Sequence, residues 1–346
     1  LIDSFIHSEL QHRPTIETEE KEMGNSGSSA VNISVNPSRS NEGFYLAGST
    51  ITGSVNVQLK EDVSPEDMNL QVQFKGKEKS HVRYNDNDGD GGTTHRNEYA
   101  ERNIIEIDLP LGSATGGTNE AMSAGSYSYP YQFQLPDYLP TSMSATDDGG
   151  ECHVKYKIKA EIKGKKSWRS KDEDVEIYVL AKPPSSEKIS YFVQPVTVDI
   201  KSCCCFSRGD ITFGAAADDT RVGKNESIKV DFGCKNKATT EIKYVEAYVK
   251  QYVSWNAGGH SQHTEHHLVK QQFMDTDDMG ALTKDQIAQL SSNAENQFAS
   301  RGIDDLFREI KTMVTEGSNS ISLHIPHEAK SSYSGLLINV HHVLKI

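Results

Sequence analysis

GSYSYPYQFQLPDYLPTSM, from Gly125 to Met143, encodes a strand, a stop and a turn. Tyr127, Tyr129, Tyr131 and Phe133 recur at every second residue, so they share one face of an extended segment. A wholly aromatic face suits the core of a β-sandwich. Pro130 has no N–H to give to a ladder, which places this strand at a sheet edge or at a bulge. Pro136 and Pro140 then end it.

Outward from that stretch the same alternation recurs. Ile51, Gly53, Val55, Val57 and Leu59 alternate with polar residues, and Met68, Leu70, Val72 and Phe74 form the next such run. Ile104 to Leu109 reads as a further strand. In ECHVKYKIKAEIKGKK, Val154, Tyr156, Ile158, Ala160 and Ile162 face one way and Lys155, Lys157 and Lys159 the other. Gly164 to Ser167 is the expected turn, and Val175, Ile177 and Val179 pair back. With Lys165 and Lys166, the lysine row is either a solvated face or a local patch for anionic lipid or phosphopeptide.

After Pro183 and Pro184 the pattern restarts. The offset that carries Ile51 onto Ile228 also carries Leu70 onto Ala247 and Val72 onto Val249, which suggests two related sandwiches in tandem. The expected division is an acidic arm over 1–28, a first sandwich over 29–182, a linker over 183–200 and a second sandwich over 201–346. Val245 to Val253 alternate up to Trp255, and a His-rich loop is expected next, with His260, His263, His266 and His267. His263 and His267 would be zinc-spaced on a helix, but Gly258 and Gly259 favour a hairpin. Residues 283–316 carry helix signals. Thr283 and Gln286 form a capping box, and Ile303, Leu306, Phe307, Ile310 and Met313 form an apolar stripe, so a helical insertion in the second sandwich is predicted.

Composition narrows the function. The chain has 346 residues, enough for two domains, and a net charge of −13, which disfavours non-specific nucleic-acid binding. No apolar run reaches about eighteen residues. Residue 1 is Leu, which reads as a fragment boundary. Five cysteines, three of them adjacent at Cys203, Cys204 and Cys205, make a poor disulfide framework and favour a reducing compartment. The triplets at Asn32 and Asn225 match glycosylation sequons, which are common by chance. The adjacent thiols lie beside Lys201 and Arg208, where S-acylation is the sharper reading and a plain strand start the simpler one. NDNDGDGGTTHRN, 85–97, mimics the first half of a calcium loop at Asp86, Asp88 and Asp90, but Asn97 stands where a bidentate Glu is needed. No nucleophile elbow, zinc-protease motif or dinucleotide glycine fingerprint occurs, so neither catalysis nor a metal or cofactor is expected.

The string Gly-x-Tyr-x-Tyr-Pro-Tyr-x-Phe-x-Leu-Pro-x-x-Leu-Pro-x-Ser, Gly125 to Ser142, closely resembles the arrestin amino-domain signature. Tyr45, Gly48, Ile51, Gly53 and Val55 are similar to the start of the α-arrestin branch. Gly150, Tyr156, Ile158 and Ala160 fit the hairpin that follows its turn. Gly209-Asp210-Ile211 and Glu226-Ser227-Ile228 resemble the opening of an α-arrestin second domain, with Asn225 in place of the usual glycine. Val340, His342 and Leu344 resemble its closing strand. The resemblance implies a mostly β fold of two tandem arrestin-like antiparallel β-sandwich domains, immunoglobulin-like in build. It implies a non-catalytic cytoplasmic adaptor that binds cytosolic tails of membrane cargo in endocytic or endosomal transport, recruited to plasma membrane or endosomes. A structural coat subunit of the retromer arrestin-like type is the alternative, and a ligand-binding extracellular sandwich a distant third. No Pro-Pro-x-Tyr motif occurs here, so a link to ubiquitin machinery is not carried over. Lysine pairs that read receptor phosphate are not evident near Val31.

Overall fold

The computed structural model describes residues 31–38, 43–64, 69–88, 92–113, 122–163, 171–183, 187–202, 206–273, 310, 312 and 319–346. The first ten strands are β1 (Val31–Pro37), β2 (Tyr45–Leu46), β3 (Thr50–Leu59), β4 (Asn69–Asp88), β5 (Gly92–Ser113), β6 (Gly125–Gln134), β7 (Met143–Asp147), β8 (Gly150–Lys163), β9 (Lys171–Ile177) and β10 (Val179–Leu180). One sheet has the order β1-β3-β6 and the other β5-β4-β8-β7, with β9 also paired to β8. All these pairs are antiparallel; β2 and β10 form a small parallel pair.

The alternation seen in the sequence sets which face is buried. Val154, Tyr156, Ile158, Ala160 and Ile162 are wholly buried on β8. Tyr156 stacks on Phe74 at 5.7 Å and donates its hydroxyl to the Pro140 carbonyl at 2.7 Å. Among the described residues β6, the strand of the opening stretch, pairs only with β3, so Pro130 does sit on an edge strand there. Leu135 and Leu139 are buried just beyond it. Ser142 holds β10: its hydroxyl accepts from the Val179 N–H at 2.9 Å.

The second set comprises β11 (Tyr191–Ser202), β12 (Phe206–Ala217), β13 (Ser227–Asn236), β14 (Val245–Ala257), β15 (His260–Phe273), β16 (Ser320–His324), β17 (Tyr333–Ser334) and β18 (Ile338–Lys345). Its sheets run β11-β12-β13-β16 and β15-β14-β18-β17. Ile51 lies on β3, between β1 and β6, and Ile228 on β13, between β12 and β16. Leu70 and Ala247 lie on β4 and β14, each inside its own sheet and each leading into a long hairpin. The repeat in the sequence is thus a repeat of strand position. Asn225 has φ of 59°, the left-handed conformation anticipated from its replacement of a glycine.

Three expectations change. Residues read as linker from Tyr191 onward belong to β11, because their β-branched residues pair with β12. The polar stretch 85–97 is not one loop: β4 and β5 run through it in register to Asp88 and Gly92, and Asp86 bonds Arg96 at 2.8 Å. The His-rich stretch is strand β15, and only Gly258 and Gly259 turn, both with positive φ. Of the expected helical insertion only Ile310 and Thr312 are described; Ile310 is fully buried, and a Cβ added at Gly214 would lie 2.8 Å from its Cγ2.

Candidate binding face and domain seam

On the outer face of the first sandwich, register sets Lys75 opposite Lys157 and Lys77 opposite Lys155, with Lys79 and Lys159 extending the two columns. Like charges directly across a sheet repel. The flanking strands supply the counter-charges. From β5, Glu106 meets Lys75 at 2.9 Å, and Glu101 meets both Lys77 and Lys79, the latter at 2.7 Å. From β9, Glu176, Asp174 and Asp172 meet Lys155, Lys157 and Lys159 at 3.3, 2.6 and 3.2 Å. Hydrogen bonds from Lys77, then Lys79, hold the Glu101 carboxyl down at about 2. These pairs are exposed, so each stabilises by at most about 1 kcal/mol. An anionic ligand here must compete with carboxylates already in place. The β4 lysines escaped the sequence reading, although Lys75, Lys77 and Lys79 alternate as regularly as the β8 row.

At the end of this face lies a depression of about 260 Å³, lined by Lys79, His81, Tyr99, Glu101, Glu151 and His153. His81 stacks on Tyr99 at 4.4 Å and shares a hydrogen bond with the Asn97 side-chain oxygen at 2.8 Å. Burial, and then Lys155 and Lys79, hold the His153 imidazole below its ordinary range.

The same end of β4 meets the second sandwich. Glu78 is 2 % exposed. Its carboxylate accepts hydrogen bonds from the Tyr333 hydroxyl and, at 2.9 Å, from the Leu337 N–H. Trp255 donates its indole N–H to the His81 carbonyl at 3.0 Å, and the Ser80 hydroxyl donates to the Asn256 carbonyl at 2.5 Å. Thr141, in the turn after β6, bonds Ser331 at 3.2 Å. Val253, Trp255, Ala257, Leu337, Ile338 and Val340 belong to the same core cluster as the first sandwich. The seam is therefore an apolar core crossed by several hydrogen bonds, not a thin contact.

Lys155, Lys157 and Lys159 do lie on one exposed face; Lys165, Lys166 and Cys203, Cys204 and Cys205 fall outside the described residues, as do residues 1–28. Cys152 and Cys234 are buried, and burial pushes their thiols up to about 12 and about 11. His263 and His267 share a face of β15 while His266 takes the other, and among the described residues no cluster suited to a metal ion occurs. No described helix is long and apolar enough to cross a membrane.

Residues 31–183 match the family model described as arrestin (or S-antigen), N-terminal domain. This covers the first sandwich and supports the arrestin family. No curated protein matches the chain.

Proposed function

We propose, from a first sandwich that matches the arrestin amino-terminal domain, that this chain is a non-catalytic adaptor of the α-arrestin kind. It binds cytosolic segments of membrane proteins and links them to endocytic or endosomal trafficking. Arrestin domains serve in general as adaptors or scaffolds in trafficking or signalling. The observation that carries the reading is the outer face of that sandwich: a block of lysines held in register by acidic edge strands. An acidic segment laid across the outer face of β8 would displace the β9 carboxylates from these lysines, in a shallow surface contact rather than a deep pocket.

Binding of fluorescent acidic peptides from cytosolic tails tests this. Charge reversal at Lys157 and Lys159 together is expected to weaken binding at least about tenfold and to flatten its salt dependence. Equal binding by both proteins at low salt rejects the face as the cargo site. A stable stoichiometric complex on purification from native cells would favour the coat-subunit reading instead. Membrane recruitment through S-acylation of Cys203, Cys204 or Cys205 rests on the sequence alone. Acyl-exchange labelling beside a triple Cys→Ser variant tests it, and no thioester-dependent mass shift sinks it.

A further inference from the structure

The outer face of the sheet β1-β3-β6 carries no charge. Register lays its outward side chains in rows: Asn32, Gln58 and Ser126, then Ser34, Asn56 and Ser128, then Asn36, Ser54 and Pro130. Beyond them Thr52 stands beside Gln132 and Thr50 beside Gln134. The residues between, such as Val55, Val57 and Tyr131, are buried on the core side. Each outward residue is exposed or half-buried, and all but Pro130 end in an amide or a hydroxyl. The other three outer sheet faces carry ion pairs: Lys157–Asp174 on the first sandwich, and Lys250–Glu265 and Lys229–Asp231 on the second. Charged residues make up 25 % of the chain, so five rows without one are a property that exposure to water alone does not require.

The two ends of this face differ in shape. At one end Asn32, Asn56, Gln58, Ser126 and Ser128 border a shallow hollow of about 330 Å³. Their side chains make no hydrogen bond to another described residue. At the other end Gln132 and Gln134 extend long, exposed side chains from β6. One end is recessed, and the other carries the groups that reach furthest.

We propose that two copies of this chain dock through this face, about a two-fold axis near Ser54 that reverses the strands. Amides and hydroxyls each carry both a donor and an acceptor, so a face built of them is complementary to itself. A charged face is not, because a two-fold axis sets a patch against the same patch and like charges then meet. At a net charge of −13 two copies repel, and of the four outer sheet faces this is the one that brings no charge to the contact. An axis near Ser54 lays Gln132 of one copy over the hollow between Asn56 and Ser128 of the other, so recess meets projection at both ends. Three strands about 4.8 Å apart and ten residues long make a patch of about 15 Å by about 33 Å, and docking buries about 1,000 Å² in all. That area is at the low end for a specific interface, so the dimer is a weak one that forms at micromolar concentrations.

The test is sedimentation velocity of the full chain from about 1 to about 200 μM. A monomer–dimer equilibrium with its midpoint in the micromolar range is expected. Raising salt from about 0.05 to about 0.5 M should not weaken it, since salt screens the repulsion between copies and there is no ion pair at the contact to screen. Ser54→Asp alone, or Ser54→Lys alone, sets like charges together on the axis and should weaken the dimer at least about tenfold. Mixed in equal amounts, the two variants should pair with each other at least as tightly as native copies do, which also shows that both are folded. Ser322→Asp, one added charge on the outer face of the second sandwich, should leave the equilibrium unchanged. A chain still monomeric at about 200 μM, a dimer that Ser54→Asp leaves intact, a mixture that does not reassociate, or a dimer that salt dissolves overturns the proposal.

Discussion

Single residues at the seam are where a small change has the largest effect. Glu78 is buried with two donors aimed at it, the Tyr333 hydroxyl and the Leu337 N–H. Glu78→Ala would strand both donors and should cost about 3 kcal/mol or more in chemical denaturation. Glu78→Gln, which keeps an acceptor, should cost visibly less; equal losses would show that a neutral acceptor cannot serve those two donors in place of the carboxylate. Gly150 has φ of 134°, and a Cβ there would lie 2.0 Å from the His81 carbonyl oxygen. Gly150→Ala is expected to destabilise by about 2 kcal/mol or more, through backbone strain at the start of β8. A variant as stable as the native chain would contradict that geometry. Glu101 acts by charge instead. Its carboxyl is held at about 2 by Lys77 and Lys79, below its unfolded value, so its contribution is complete above the usual carboxylate range. That contribution is lost as pH falls through about 2. Glu101→Gln should flatten the acid limb of a stability–pH curve while changing neutral stability by no more than about 1 kcal/mol.

At the scale of elements, strands legible by alternation and strands legible only by pairing behave differently. β8 and β14 each present one buried and one wet face, so period-two patterning finds them. The β4–β5 hairpin was found only in part, because beyond Phe74 its residues are largely polar and are held by cross-strand pairs such as Lys79–Glu101 and Arg96–Asp86. The same holds for the histidine strand β15, whose faces carry little apolar content to mark them. The lysine block follows this rule too. Half of it, on β8, was visible as a row, and the β4 half appeared once register set the two rows side by side. Its neutralisation by β5 and β9 is a property of the sheet, since those acids are far away in the chain.

For the whole molecule, the decisive feature is that Trp255 and its neighbours on β14 and β18 join the core of the first sandwich. The second sandwich keeps a core of its own around Phe232 and Leu323, but the seam cluster takes in both sandwiches, so they should unfold together. Calorimetry is expected to show one cooperative transition. Trp255→Ala removes the largest fully buried side chain at the seam and leaves the His81 carbonyl without its indole donor. It should cost about 3–5 kcal/mol and separate the transition into two. Two transitions in the native chain would mean that the seam does not couple the sandwiches.

What the sequence determined by itself was local and periodic. The aromatic alternation from Tyr127 to Phe133, the proline stops and the repeat from Ile51 to Ile228 specified paired sandwiches, because strand periodicity is written in neighbouring residues. The resemblance at Gly125 to Ser142 pointed to the family that the first sandwich matches. Only the tertiary structure decided that Glu78 meets Tyr333, that the lysines already hold acidic partners, and that the amides and hydroxyls of β1, β3 and β6 share one uncharged face. Those contacts depend on register and on the docking of one sheet against another. A one-residue shift in register would move every side chain to the other face, and no local pattern records which register is taken.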